Sequence, residues 1–498
     1  MLAAKAQCSL GNAKEYFEEH LRVGDYYMKG QRVSGQWFGR GAEDLGLAGE
    51  TQAEDFLRLC DNLHPKTGER LTQRLKTTRM EAGEDGQQHE VANRRVFYDF
   101  TLSPPKSVSI VALAGNEPRI VEAHDQAVMT AMKQIETFAA GRVRKKGQSS
   151  YRTTGNLVGA VFRHDTSRAL DPHLHSHCIV FNATKDPVEN CWKALEPYEM
   201  LVAKKFVENV YYHELVKALH QLGYRVRNKP RGDFEIEGVS PELVERFSKR
   251  HREIDQKTRA LLEREPEKAS QNIHEIRERI AHKERARKIK DVGLAWLQPI
   301  WDEQMSLGER QALQSLRSGQ PSAEPGRGES VEAAVTWAEE HLFERHSVVR
   351  EHEIWRHALE HARGQNISLA EVQAVTKQRD YVRNVEQPGH VAARAALERE
   401  WAVIKMARDG VCECRPLNPN DRPKQSDLDG EQRAAVERIL SSTNFVTLFR
   451  GGAGQGRAIR CGKWLLDCVR PSETRLSLLR NGSRCSVWKR MASVESRQ

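Results

Sequence analysis

Between Leu174 and Phe181 apolar and polar positions alternate, and this run, Leu174-His-Ser-His-Cys-Ile-Val-Phe181, reads as a β-strand. The alternation sends His175 and His177 to one face of that strand. An apolar segment, Leu157 to Phe162, precedes it and leads into His164. If the two segments pair as an antiparallel hairpin across the Ser167 to Pro172 turn, His164 reaches the same face, while His173 is assigned to the opposite one. Val96 to Leu102 is another apolar run and carries Asp99. Lys14-Glu-Tyr-Phe17 reads as helix. From Glu245 to about Lys290 the chain is charged and helical, with Ile273, Ile276 and Ile280 spaced by three and four and Pro266 interrupting. Residues 318–330 are rich in Pro, Gly and Ser and read as a linker. Two amphipathic helices are expected next, over 331–343 and 351–362. Past Gly456 neither helical nor strand periodicity is evident.

Three imidazoles converging on one point can hold a divalent cation through neutral nitrogens and leave coordination positions open, as catalytic rather than structural sites do. The alternative is chance, since a His-x-His pair is unremarkable among 19 histidines. A second group of residues favours chemistry. Tyr16, Tyr26 and Tyr27 stand near the N-terminus and Asp99 lies in the strand that precedes Lys106. A phenol with a reference pKa near ~10 is a poor nucleophile toward carbonyls, but it suits attack on phosphate when a base and a metal assist. Metal, tyrosines and a carboxylate together point to phosphoryl transfer.

The first 250 or so residues resemble the relaxase domain of MobF-type conjugative relaxases, the TraI/TrwC class. The resemblance rests on Asp25-Tyr26-Tyr27, Trp37-Phe-Gly-Arg-Gly41-Ala-Glu-Asp-Leu-Gly46-Leu, Asp99-Phe-Thr-Leu-Ser-Pro-Pro-Lys106-Ser-Val-Ser, Thr154-Gly-Asn156-Leu-Val and the histidine run, all in order. It implies an α+β fold with a central antiparallel sheet, the histidines on central strands and the tyrosines on an N-terminal helix. It implies nicking and rejoining of single-stranded plasmid DNA at a transfer origin, with the 5′ end kept as a phosphotyrosine. Tyr16 matches the first catalytic tyrosine and Tyr26, with Tyr27 beside it, the second. Asp99 would take the tyrosine proton or orient the triad, and His164, His175 and His177 would hold Mg²⁺, Mn²⁺ or Zn²⁺. Accessory transfer proteins and a type IV secretion coupling protein are the implied partners. Phe17 stands where relatives often have another tyrosine, and the Glu18 to Gly24 spacer differs in length, which leaves the division of labour between Tyr16 and Tyr26 open.

Composition changes this picture little. A chain of 498 residues, 39% hydrophobic and 30% charged, has room for two to four domains. Nine cysteines without paired CxxC motifs read as reduced thiols, no segment reads as a membrane span or secretory signal, and a cytoplasmic location is expected. Most of the formal net charge of +9 sits in the Arg-rich residues 457–498, so DNA contact must rest on local patches. Candidates are Arg142, Arg144, Lys145 and Lys146 just upstream of the metal strands, Arg168 in the histidine turn, and Lys106.

Downstream, Leu428-Asp-Gly-Glu-Gln432 resembles the adenine-reading segment of superfamily 1 helicases, and Gly451-Gly-Ala-Gly-Gln-Gly456-Arg457-Ala458 has the spacing of a phosphate-cradling loop. Arg457 replaces the phosphate-binding lysine and Ala458 the Mg²⁺-binding hydroxyl. The expected organisation is a relaxase domain over 1–290, a connection over 291–330, a helicase-like helical region over 331–410, a degenerate helicase start over 411–456, and a basic tail over 457–498 without regular structure. A reading-frame shift or fusion would produce such a tail. Competing readings are a rolling-circle replication initiator, a DNA-binding remnant without catalysis, and a cupin-type oxygenase, which lacks its glutamate because Phe181 and Asn182 follow the histidines.

Overall fold

The computed structural model describes residues 1–7, 13–14, 35–73, 78–82, 88–92, 95–145, 147–230, 232–265, 273, 276–277, 280, 294–316, 330–384, 388–416, 430–449, 475–480 and 486–491. Two compact units result, Met1–Leu342 with Val349–Arg379, and Phe343–Val348 with Asp380–Gln498.

The first unit is α+β. Its strands in chain order are β1 (Leu2–Gln7), β2 (Gln36–Phe38), β3 (Thr78–Ala82), β4 (Gln88–Ala92), β5 (Phe97–Leu102), β6 (Ala140–Lys145), β7 (Gln148–Thr153), β8 (Gly159–Thr166) and β9 (Pro172–Phe181). The central sheet has the order β1-β5-β9-β8-β2, antiparallel throughout. β9 is central because both of its faces are covered, and its interior residues Leu174, Cys178, Ile179 and Val180 are inaccessible to solvent.

One face packs on helix α1 (Ala53–Cys60), whose Phe56 meets Phe97, Phe162 and Phe181 edge-on at centroid distances of 6.2, 5.9 and 4.9 Å. Burial of such a side chain contributes roughly 1.5–3 kcal/mol, and edge-to-face packing adds to it. The opposite face packs on helix α2 (Pro118–Thr137), which is backed by α3 (Lys204–Gln221). There His124 bridges Ser176 Oγ of β9 (2.9 Å) and the Tyr211 hydroxyl of α3 (2.7 Å), and burial holds its pKa well below the usual histidine range. Gly159 pairs with Phe38, whose ring lies 2.3 Å from where a Cβ would project, so β8 and β2 approach closely only because that position is glycine.

β1 and β2 form opposite edges of this sheet, so the chain between Gln7 and Gln36 joins one edge to the other. Ala13, on that connection, is buried in the aromatic cluster with Phe56, Phe162 and Phe181, and Lys14 donates to Asp61 at 2.8 Å. The connection therefore meets the sheet on the face that carries Phe162 and Phe181.

Charged helix is observed over Lys249–Arg264, and Ile276 is buried on a later helical stretch. The helices expected over 331–343 and 351–362 form at Val331–Phe343 and Glu351–His361. Compactness does not divide the chain at residue 330. Trp355 and His352 lie against Phe206 of α3 at 5.7 and 5.8 Å, and His213 Nε2 donates to the Ile367 carbonyl at 2.6 Å, which joins 349–379 to the first unit.

In the second unit Tyr381–Arg383 pairs with His390–Ala393, ahead of helices Arg394–Asp409 and Gly430–Ser441. The expected irregular tail is corrected for its described residues. Arg475–Arg480 and Ser486–Met491 form an antiparallel pair, with Leu478 opposite Trp488, and Val446–Phe449 joins the latter strand. Cross-strand pairing satisfies the backbone there without a parallel sheet. No helix among the described residues is long and apolar enough to cross a membrane.

Candidate metal centre

The hairpin of β8 and β9 sets His164 directly opposite His175, with His177 two residues further along β9 on the same face. Ring centroids are 5.2 Å apart for His164 and His175, 5.1 Å for His164 and His177, and 5.2 Å for His175 and His177. One nitrogen from each lies within 4.8 Å of the other two. Metal–nitrogen bonds of ~2.0–2.1 Å fit inside such a triangle after small ring adjustments. Three neutral donors with open positions beyond them form a set suited to a catalytic divalent cation.

Two of the rings have defined tautomers. His177 Nδ1 lies 2.8 Å from Asp99 Oδ2, and an ionised carboxylate only accepts, so Nδ1 carries the proton and Nε2 presents a lone pair to the cation. Asp99 is buried, 4% exposed, and sits on β5 opposite Ile179, two ladder positions from His177 on the same face. Thr101 adds a partner absent from the sequence reading. It pairs with His177 across the ladder, its hydroxyl donates to Asp99 Oδ1 at 3.3 Å, and its oxygen lies 3.2 Å from His177 Nδ1. Its i+2 relation to Asp99 was the available signal. His175 Nδ1 donates to the His173 carbonyl at 2.9 Å, which likewise makes Nε2 the lone-pair nitrogen.

His173 corrects the expectation that it faces away. Its ring stacks on His175, with centroids 4.4 Å and planes 21° apart. Residues 173, 175 and 177 differ by two, the period of a strand, so all three share a face.

Lys106, a candidate for DNA contact, begins the short helix Lys106–Ser109 and has its ammonium engaged within the fold. Its Nζ donates to the Pro172 carbonyl at 2.7 Å, and burial pulls its pKa down to about 8 against the attraction of Asp171. Asp171 also accepts from the Lys249 amide at 2.9 Å, and Trp301 Nε1 donates to the Leu170 carbonyl at 2.8 Å. The turn between the histidine strands is thus held from three sides, with Arg168 half-buried within it. Arg142 and Arg144 are exposed on β6, where Arg142 pairs with Tyr151 and lies over its ring at 5.8 Å. Lys145 ends that strand. Tyr16, Tyr26, Tyr27, Lys146, Gly451, Gly456 and Arg457 lie outside the described residues, as does the side chain of Gln432.

The TrwC relaxase family model matches residues 10–307, more than half of the chain. The chain belongs to the TrwC relaxase family. Multifunctional conjugation protein TraI of Escherichia coli strain K12 is 37% identical to this relaxase over 236 residues, which are 47% of this chain and 12% of that protein. A second Escherichia coli TraI is 33% identical over 361 residues, 69% of this chain and 19% of its own length. The chain therefore spans less than a fifth of these curated relatives. Among solved structures, conjugative relaxase TrwC in complex with oriT DNA in a metal-bound form aligns with TM-score 0.50 and 31% identity, covering 65% of this chain and all of that one. A copper-bound form of the TrwC complex aligns equally, with TM-score 0.50 and 31% identity over 65% of this chain and all of that one.

Proposed function

We propose that this relaxase nicks and rejoins one strand of single-stranded plasmid DNA at an origin of transfer through a 5′-phosphotyrosine intermediate. The convergence of His164, His175 and His177 on one open-sided point, beside the buried pair of Asp99 and His177, is the observation that carries the reading. The family match and the oriT DNA in the related TrwC complexes support it. Tyr16 attacks the scissile phosphorus, the Tyr O–P bond forms, and the P–O3′ bond breaks to release a 3′ hydroxyl. Tyr26, with Tyr27 beside it, takes the second transfer, and attack of a 3′ hydroxyl on the phosphotyrosine reseals the strand. A divalent cation at the triad, Mg²⁺, Mn²⁺ or Zn²⁺, supplies polarisation of the scissile phosphate. The three histidines would hold it, His175 and His177 through Nε2, and Asp99 orients His177. Asp99 held against His177 favours the orienting role over accepting the tyrosine proton.

The outward face of β6 supports a DNA-contacting role for Arg142 and Arg144, since Arg142 and Tyr151 offer charge and a ring side by side, and Lys145 and Lys146 follow them in the chain as further candidates. Arg168 lies in the turn that joins the two histidine strands. Lys106 is the weaker candidate, its Nζ being engaged by Pro172. Accessory transfer proteins and a coupling protein remain partners by family resemblance.

Asp99→Asn is expected to lower Mn²⁺ or Zn²⁺ affinity by about 10- to 100-fold, read by calorimetric titration, because the amide no longer fixes the His177 tautomer. An unchanged affinity removes Asp99 from the centre. The region around Gly451 to Ala458 is expected to hydrolyse no ATP, with or without single-stranded DNA. An arginine at 457 keeps the charge but its planar head does not fit the site of an ammonium, and Ala458 offers Mg²⁺ no oxygen. ATP turnover stimulated by DNA contradicts this.

A further inference from the structure

Although a strand ladder ordinarily fixes its own residues, the β8–β9 ladder is irregular between His164 and Thr166, where the register shifts before the pairing of Thr166 with Pro172. The backbone that leads into His175 is tethered by side chains as well. Lys106 holds the Pro172 carbonyl at 2.7 Å, the Lys249 amide holds Asp171 at 2.9 Å, and Ser109 Oγ accepts from the Leu174 amide at 3.2 Å. His173 lies between these tethers. We infer that His173 is a positioning residue for the metal centre, setting both the tautomer and the plane of the His175 ring through its carbonyl and its stacked imidazole.

An imidazole ligand has two freedoms once its Cβ is placed, rotation of the ring and the choice of protonated nitrogen, and cation binding must suppress both. The His173 carbonyl suppresses the second, since it can only accept from Nδ1–H at 2.9 Å. The parallel stack at 4.4 Å suppresses the first. Among the described residues His173 is outside the set whose nitrogens come within 4.8 Å of one another, so it acts through His175 and not on the cation. Its neighbour Leu174 points to the opposite, fully buried face, which anchors the strand so that a change of ring at 173 leaves the backbone in place.

The inference rests on the metal-centre reading, and the test separates the two. Wild type, His173→Ala, His173→Phe and His175→Ala are each titrated with Mn²⁺ and with Zn²⁺ by calorimetry, and metal-free melting temperatures are recorded in parallel. Expected is a roughly three- to tenfold loss of affinity in His173→Ala, which keeps the backbone carbonyl but loses the stacked ring, recovery to within about twofold in His173→Phe, which restores a stacking ring, and no binding at this centre in His175→Ala. Metal-free melting of His173→Ala should match wild type. Wild-type affinity in His173→Ala overturns the positioning role alone. Equal losses in the Ala and Phe variants, or a matching drop in metal-free melting, overturn it in favour of a structural role. Absence of metal binding by wild type overturns the metal-centre reading itself.

Discussion

His175→Ala is expected to abolish DNA cleavage while the protein stays folded, and a chelator is expected to do the same to the unaltered protein. His175 sits opposite His164 and two residues from His177, so its loss leaves two donors where three converge. The damage exceeds the about 10- to 100-fold that follows removal of an outer-shell partner such as Asp99. Stability should change little, because the neighbouring Phe162, Ile179 and Phe181 keep their cluster around Phe56. The assay is cleavage of a labelled single-stranded oligonucleotide from the plasmid's own transfer region, with and without divalent cation, beside a thermal melt. Full activity in chelator removes the metal from the mechanism.

Tyr16→Phe is expected to eliminate first-strand cleavage and the covalent adduct together. The substitution keeps the ring and deletes only the oxygen that attacks phosphorus, so packing effects are small and the loss is chemical. With wild type, the 5′ DNA end should migrate with the protein on a denaturing gel and be found on the Tyr16 peptide. An adduct confined to Tyr26 or Tyr27 reverses the order of the tyrosines while leaving the phosphotyrosine chemistry intact.

Strand periodicity made β9 legible, and with the turn at Ser167 to Pro172 it gave the hairpin and the three-histidine point. It did not show what stands behind His177. Asp99 lies far away in sequence, and the pairing of β5 with β9 that brings it to 2.8 Å is a long-range contact that no local pattern encodes. The apolar run offered Asp99 as a candidate carboxylate, and only the resemblance gave it a role at the triad. Thr101 shares its face by simple parity, and so does His173 with His175, where the count along the strand was misjudged. Lys106 read as a phosphate-holding residue because it follows Pro104-Pro105 near the site, whereas its ammonium is taken up by the Pro172 carbonyl, a contact made only through the fold. At the far end, loss of family character concealed strands at Arg475–Arg480 and Ser486–Met491, whose pairing depends on each other rather than on amphipathic rhythm.

The connection from β1 to β2 starts at one edge of the central sheet and finishes at the other, four strand spacings or roughly 19 Å away. Tyr16, Tyr26 and Tyr27 all belong to it, and Ala13 docks it on the face where the histidines stand. A DNA end bonded to any of these tyrosines is tied into the protein on both sides of the bond. The 5′ end then cannot be lost to solution while the bond lasts, so the cut strand can be carried by the protein and resealing waits only on the arrival of a 3′ hydroxyl.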